Sequence, residues 1–201
     1  MRYALVLMDD TRDYLAEHRD RILAALDPAP ELVIEHIDHH RRGYTAQMVD
    51  LWQQLAALDH DAPPWVLMWE ADFLPNSDVP LADMAAILDA DHDLAQIALV
   101  RQPWWPNEHT AGGLLPSLEA QGILLFQADH HVEHTGGWTS NPCLFRRTLA
   151  AAQPWPAAAW SEAAYGAQLR AAGYRFAYYG HRDDAPRTTH VGTRTDASHG
   201  Y

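Results

Sequence analysis

Apolar residues recur along the first hundred positions in two alternating rhythms. Tyr3 to Met8 is a continuous apolar run, the pattern of a strand buried on both faces, and Asp9-Asp10-Thr11 ends it. Tyr14, Leu15, His18, Ile22 and Leu26 then fall at helical spacing until Asp27-Pro28-Ala29-Pro30 stops the helix. Glu31 to Ile37 alternates and is β-branched, a second strand. Met48, Leu51, Trp52, Leu55 and Leu58 predict a second helix, closed near Asp59 and Pro63-Pro64. Trp65 to Trp69 is another buried strand and runs straight into Glu70-Ala71-Asp72-Phe73. Leu81, Met84, Ala85 and Leu88 mark a third helix with Pro80 in its first turn, and Leu94 to Val100 is the next strand.

Strands alternating with helices predict a doubly wound α/β fold, whose ligands bind at the carboxyl ends of its parallel strands. Asp9-Asp10, Asp38 and Glu70-Ala71-Asp72 all stand at such ends, so the sheet is expected to gather them along one edge. The second half reads differently. Residues 101–142 are rich in Gly, Pro, Trp and His, with short apolar pieces such as Gly122 to Phe126. A connection of that length is functional or disordered, and Trp104, Trp105 and Trp138 argue for order. A helix over Ser161–Ala172, stopped by Gly173, precedes a strand over Tyr174–Tyr179 and a polar stretch from Gly180. Nothing linker-like divides the 201 residues, so one domain is expected over 1–201.

Charge narrows the chemistry. The formal net charge is −13, which disfavours an extended nucleic-acid groove or an anionic membrane surface. All 14 basic residues are arginine. Without lysine there is no Schiff base and no Walker-type phosphate loop. Cys143 is the single cysteine, which excludes an internal disulfide and a cysteine-rich zinc site. With no signal-like start and no run of about 20 apolar residues, a cytoplasmic protein is expected.

Glu70-Ala71-Asp72 is the sharpest chemical signal. Two carboxylates two residues apart at a strand end offer hard oxygen ligands to Mg²⁺ or Mn²⁺, which would bridge and neutralise nucleotide phosphates. Arg101, at the end of a buried strand, carries a charge that needs a partner and suits a diphosphate or sugar. Past it lie Glu108 and the pair Gly112-Gly113, which permits close backbone approach to a ligand. Trp104, Trp105 and Trp138 can stack on a sugar ring or serve as core.

The run from Trp65 through Glu70-Ala71-Asp72-Phe73, the helix at Leu81–Leu88 and the strand Leu94 to Arg101 resemble the centre of a GT-A type (Rossmann-like) glycosyltransferase. The likeness extends along most of the chain to small single-domain glycosyltransferases of bacterial and actinobacteriophage genomes. It includes the segment Trp138-Thr139-Ser140-Asn141-Pro142-Cys143-Leu144-Phe145-Arg146-Arg147, an acid-bearing helix at Glu162 and a late His190-Val191-Gly192. The resemblance implies a three-layer α/β/α domain with a mostly parallel central sheet. Residues 1–100 would be its nucleotide-binding half and 101–201 its acceptor and metal-closing half.

By the same resemblance, Asp72, Glu70 and His190 hold the metal and Glu162 is the base of an inverting hexosyl-type transfer. Asp9, Thr11, Arg12 and Asp38 would border the nucleotide of a UDP-sugar or similar donor, and Asn141 the acceptor or sugar pocket, the acceptor being a hydroxyl compound. Glu at position 70 departs from the usual Asp, which makes Asp72 the stronger ligand. A helix cap at Ser161 and the dipole-favoured first-turn acid Glu162 are the competing explanation there.

Two other readings remain open on sequence alone. One is a non-catalytic carbohydrate- or nucleotide-binding relic of the same fold. The other is a divalent-metal phosphoester hydrolase using His36-x-Asp38-His39-His40 and Asp129-His130-His131-x-x-His134. Adjacent histidines on a strand point to opposite faces, so neither run can give all its ligands to one ion. Gly136-Gly137 argues against the helix that would align His130 with His134.

Overall fold

A computed structural model describes residues 1–9 and 13–192. The first half follows the periodicity: β1 (Tyr3–Asp9), α1 (Tyr14–Ala24), β2 (Leu32–Ile37), α2 (Tyr44–Ala56), β3 (Trp65–Glu70), β4 (Phe73–Pro75), α3 (Leu81–Ala90) and β5 (Leu94–Ala98). In the second half come α4 (Pro106–Ala111), α5 (Leu114–Ala120), β6 (Leu125–Gln127), β7 (His131–His134), β8 (Cys143–Arg146), α6 (Thr148–Ala152), α7 (Ser161–Ala171), β9 (Arg175–Tyr179) and β10 (Thr188–His190). The aromatic stretch after Arg101 is thus ordered into two short helices and a hairpin. His130 and His134 do not share a helix, because residues 131–134 form a strand of that hairpin.

The main sheet has the order β2-β1-β3-β8-β5-β9-β7-β6. β1 is parallel to β2 and β3, and β5 is parallel to β9. β8 runs antiparallel between β3 and β5, and β7 antiparallel between β9 and β6. Relative to β1, then, β2, β3, β5, β9 and β6 share one direction and β8 and β7 oppose it. The sheet is mostly parallel, with a reversed strand inserted at its centre.

Side-chain alternation builds the three layers. Tyr3, Leu5 and Leu7 with Trp65, Leu67 and Trp69 face α1 and α3, where Leu15, Ile22, Leu81, Met84 and Leu88 cover them. Val6 and Met8 with Val66, Met68, Cys143 and Phe145 face the opposite layer of α2, α6 and α7. That second core centres on Trp52, whose ring lies 4.7 Å from Trp155, 5.3 Å from Phe145, 5.4 Å from Tyr165 and 5.6 Å from Trp138. Its indole N–H donates to Tyr165 Oη at 3.0 Å. Each fully buried large apolar side chain contributes about 1.5–3 kcal/mol.

Two sequence expectations are corrected. The strand after α3 ends at Ala98, because Leu99 turns its N–H to Pro142 O (2.8 Å) and Arg101 bridges to Thr188. Ser161 is not the cap of α7. Trp160 takes that position in the left-handed region (φ 56°), and the Ser161 hydroxyl instead accepts from Thr45 Oγ1 at 3.0 Å. Among the described residues no helix is long and apolar enough to cross a membrane.

Candidate functional site

The carboxyl edge of the parallel strands carries Asp9, Asp38, Glu70 and Asp72, as the sequence places them, and Asp10 lies outside the described residues. Glu70 ends β3 opposite Met8 of β1, and the turn that follows is held from two sides. Ala71 N–H donates to Met8 O (2.7 Å), and His18 Nδ1 of α1 lies 2.7 Å from Ala71 O. Asp72 then leads into β4. The short antiparallel pairing of β4 with β10 sets His190 opposite Phe73. This brings the His190 Nε2 and Asp72 Oδ2 atoms, 118 residues apart in sequence, to 3.0 Å.

Several contacts orient that imidazole. Its ring stacks on Phe73 (centroids 4.5 Å, planes 6° apart) and against Trp104 (4.1 Å). The Gln102 side-chain amide grips the backbone of the same residue, Nε2 donating to His190 O (2.9 Å) and Oε1 accepting from His190 N–H (2.8 Å). Val191 N–H donates to Asp72 O at 2.8 Å. Gly192 completes the corner: a Cβ there would collide with Asp72 Oδ2 and lie 2.8 Å from His190 Nε2. A side chain at 192 would have to push the Asp72 carboxylate or the His190 ring aside.

Asp72 and His190 retain 13% and 19% side-chain exposure. A carboxylate oxygen and a neutral imidazole nitrogen suit Mn²⁺ better than Mg²⁺. Among the described residues no group of three His, Cys, Asp or Glu is poised for one ion. The protein would supply two donors and leave the other positions to phosphate oxygens and water, a pattern common where a hard cation bridges a nucleotide. Glu70 stands at the same strand end. Its charge reaches the buried Cys143 thiol, which burial first, and then Glu70 and Glu162, push well up.

Arg101 finds its partner within the fold. Its guanidinium meets Glu108 in a buried bidentate pair, Nη1 to Oε2 at 2.6 Å and Nη2 to Oε1 at 2.7 Å. Glu108 Oε2 also accepts the backbone N–H groups of Trp104 (2.7 Å) and Trp105 (3.1 Å). The pair therefore shapes the aromatic loop that packs on His190. Gly112, at φ 88°, ends α4, and Gly113 opens α5, so this glycine pair turns the chain between two short helices.

Glu162 lies in the first turn of α7 and accepts the Ser140 N–H at 2.7 Å. Burial raises its carboxyl above the ordinary range, opposed by the Ser140 contacts and by the Arg101 charge. Ser140 also shares a short hydrogen bond with Tyr44 Oη. Gln96, buried in β5, holds the neighbouring Thr139 by both backbone groups at 3.0 and 3.1 Å. Asn141 is buried beside them, and a cleft of about 410 Å³ opens here, lined in part by Arg101, Glu108, Trp138, Thr139, Asn141 and Tyr178.

Other candidates have structural work to do. Asp9 Oδ2 accepts Leu15 N–H (2.9 Å) at the start of α1, and Asp38 accepts Arg42 and Gly43 N–H (3.0 and 2.8 Å) ahead of α2. Thr11 and Arg12 lie outside the described residues. His36 Nε2 lies 2.9 Å from Gln47 O, and His134 is buried with its Nδ1 accepting Gly136 N–H (3.2 Å). Gln102, Gln96 and Ser140 are the supporting residues that sequence reasoning missed. Their only signal is a polar side chain next to a strand end or, for Gln96, inside an apolar run.

No protein-family model matches the chain, and no curated protein does. Solved structures match in fold. A mannosyltransferase from Pyrobaculum calidifontis, in complex with GDP-Man and Mn²⁺, aligns with a TM-score of 0.58 at 13% identity over 98% of this chain. This chain spans 58% of that protein's length. The catalytic domain of Drosophila β1,4-galactosyltransferase 7, complexed with xylobiose, gives 0.56 at 14% identity, covering 96% of this chain and 71% of its own. A variant of the Drosophila enzyme with manganese, UDP-Gal and xylobiose gives 0.55 at 13%, covering 96% and 72%. The fold is the α/β, Rossmann-like GT-A arrangement that these glycosyltransferases share.

Proposed function

We propose that this chain is a metal-dependent glycosyltransferase that moves a hexose from a nucleotide diphosphate sugar, preferably a UDP-sugar, to an acceptor hydroxyl with inversion. The observation that carries the reading is the meeting of Asp72 and His190 at the carboxyl edge of a GT-A sheet, with Gly192 leaving no room for a side chain beside them. Solved neighbours of the same fold carry Mn²⁺ with GDP-Man, or manganese with UDP-Gal, which supports a divalent ion and a nucleotide sugar here.

Asp72 and His190 would hold Mn²⁺ or Mg²⁺, and Glu70, expected beside them from the sequence, would add its charge at the same strand end from outside that pair of donors. When bound, the ion supplies charge neutralisation for a departing diphosphate. Residues 1–100 provide the carboxylates and 101–201 return His190 to close the metal site. Glu162 accepts the proton of the attacking hydroxyl. The Ser140 N–H fixes one of its oxygens, and its raised pKa makes the ionised form a stronger base. Attack in line with the departing diphosphate inverts the anomeric carbon. The aromatic loop at Trp104 and Trp105, tethered by Glu108, borders the sugar.

A panel of UDP-, GDP- and TDP-sugars, incubated with the protein, Mn²⁺ and pooled hydroxyl acceptors, tests the reading by mass spectrometry. Release of nucleoside diphosphate with a matching hexose mass added to an acceptor is expected for at least one donor. Metal-dependent donor binding without turnover would contradict catalysis and leave a binding relic.

A further inference from the structure

The first turn of α2 reaches the surroundings of Glu162 by two separate hydrogen bonds. Asp38, just past β2 and 5% exposed, fixes where α2 begins by accepting the Arg42 and Gly43 N–H groups at 3.0 and 2.8 Å. The next two residues make the contacts. Tyr44 Oη shares a short hydrogen bond with Ser140 Oγ. Thr45 Oγ1 donates to Ser161 Oγ at 3.0 Å, one residue before Glu162.

The direction of the Tyr44 contact follows from the acid beyond it. The Ser140 N–H donates to Glu162 Oε1 at 2.7 Å, and the Ser140 hydroxyl bonds the same carboxylate. An ionised carboxylate only accepts, so the hydroxyl proton of Ser140 is committed to it. Toward Tyr44, Ser140 Oγ is then the acceptor and the phenol is the donor. The order is Tyr44 O–H to Ser140 O–H to Glu162. Donors in series polarise one another, so the phenol strengthens the bond that the serine makes.

Two further contacts hold the serine in place. Gln96 in β5 binds both backbone groups of the adjacent Thr139, at 3.0 and 3.1 Å. Gly166 lies one helical turn after Glu162 on the same side of α7. A Cβ there would come within 2.7 Å of Trp138 N and 3.0 Å of Gly137 Cα. Glycine lets α7 rest directly on the segment that carries Ser140.

The charges around Glu162 leave the serine decisive. Arg101 favours the ionised form, while burial holds the Cys143 thiol and the Tyr178 phenol neutral. Arg101 is already paired with Glu108 at 2.6 and 2.7 Å. The two Ser140 donors give the main opposition to the burial that would protonate Glu162.

We infer that Ser140 and Tyr44 are positioning residues for Glu162: Ser140 holds the carboxylate with both of its donors, and Tyr44, acting through the Ser140 hydroxyl, keeps the second donor aligned. The inference rests on the reading of Glu162 as the base, but the hydrogen-bond chain can be measured without catalysis.

The test is a pH titration of the Glu162 carboxyl by ¹³C NMR, assigned with Glu162→Gln. It compares the parent, Ser140→Ala, Tyr44→Phe and the double variant. Ser140→Ala is expected to weaken Glu162 as an acid about 10-fold or more, the scale of one hydrogen bond to a charged group. Tyr44→Phe is expected to change it in the same direction by about 1.5–4-fold, the cooperative share of that bond. On the Ser140→Ala background the Tyr44→Phe change should add nothing, because its route is gone. With the donor and acceptor that the sugar-nucleotide panel finds active, the acid limb of the rate profile should move up in step, with kcat lowered and the donor KM kept.

A Glu162 titration that either single variant leaves unmoved overturns the inference. So does a Tyr44→Phe effect that persists in full without the Ser140 hydroxyl, the mark of a phenol acting on its own. Tyr44→Phe keeps the ring and carries the test alone if Ser140→Ala does not fold. Shifted titrations beside parental transfer by Glu162→Gln leave the chain standing and refute the base. Unshifted titrations beside an inactive Glu162→Gln refute the chain and spare the base.

Discussion

Removing Glu108 should unsettle both the fold and the metal corner. Its carboxylate meets Arg101 at 2.6 and 2.7 Å and takes the Trp104 and Trp105 N–H groups, all in a site where the two side chains are 9% and 5% exposed. Glu108→Ala strands a buried guanidinium and two backbone donors, a loss of about 3–5 kcal/mol by the precedent of broken buried pairs. For a chain of this size each kcal/mol lowers the melting temperature by about 2–4 °C, so a fall of roughly 6–20 °C is expected. A double change, Arg101→Met with Glu108→Leu, should recover the part owed to the stranded charge, while the Trp104 and Trp105 N–H groups stay without their acceptor.

The pH dependence has a defined sign. Burial acts to raise the Glu108 carboxyl, but Arg101 and the two N–H donors outweigh it and hold it below its ordinary value of 4.5. A depressed carboxyl stabilises fully above the unfolded value and loses that contribution as pH falls through the folded one. Scanning calorimetry of parent and Glu108→Gln should show a constant gap from pH 7 down to about 4.5, closing on further acidification. Because Trp104 packs on His190, Glu108→Ala should also weaken Mn²⁺-dependent nucleotide binding. A loss below about 1 kcal/mol, the size of an exposed pair, or a gap that widens in acid, would refute the reasoning.

Three further outcomes are expected. His190→Ala should reduce nucleotide affinity in the presence of Mn²⁺ by about 10-fold or more, read by titration calorimetry, as loss of a supporting ligand does. Glu162→Gln should cut transfer by roughly 10²–10⁴-fold with donor affinity preserved. The parental rate should fall as pH drops through a pKa above 4.5, and near-parental transfer by the variant would return Glu162 to the role of a first-turn acid. Gly192→Ala should displace Asp72 or His190 and weaken metal-dependent binding while the melting temperature changes little, since the collision is confined to that corner.

The first half of the fold was legible because each element carries its own period: continuous apolar strands at Tyr3–Met8 and Trp65–Trp69, and helical spacing at Met48–Leu55. The insertion of β8 between β3 and β5 was not, since four residues, Cys143–Arg146, carry no periodic signal and their place depends on pairing with distant strands. β4 and β10, three residues each, are likewise defined only by each other. In the site, Asp72 and His190 were named together only through the resemblance, and the contact between them is a product of that pairing. Arg101 was read as a charge in need of a partner, and the partner proved to be Glu108, seven residues on. His134 stood out only as part of a histidine run. Its burial follows from the inward alternation of β7, which the Gly-rich flanks obscured.

The central claim is that Asp72 helps to hold a divalent ion on which nucleotide-sugar binding depends. Isothermal titration of a UDP- and GDP-sugar panel into parent and Asp72→Asn, with Mn²⁺ and with chelator, addresses it most directly. An amide is a far poorer ligand for a hard cation than a carboxylate. The parent is expected to bind at least one nucleotide sugar with Mn²⁺ and to lose that binding in chelator, while folded Asp72→Asn fails to bind under both conditions. Parental binding that ignores chelation, or an Asp72→Asn protein that binds with Mn²⁺ as the parent does, would contradict the account.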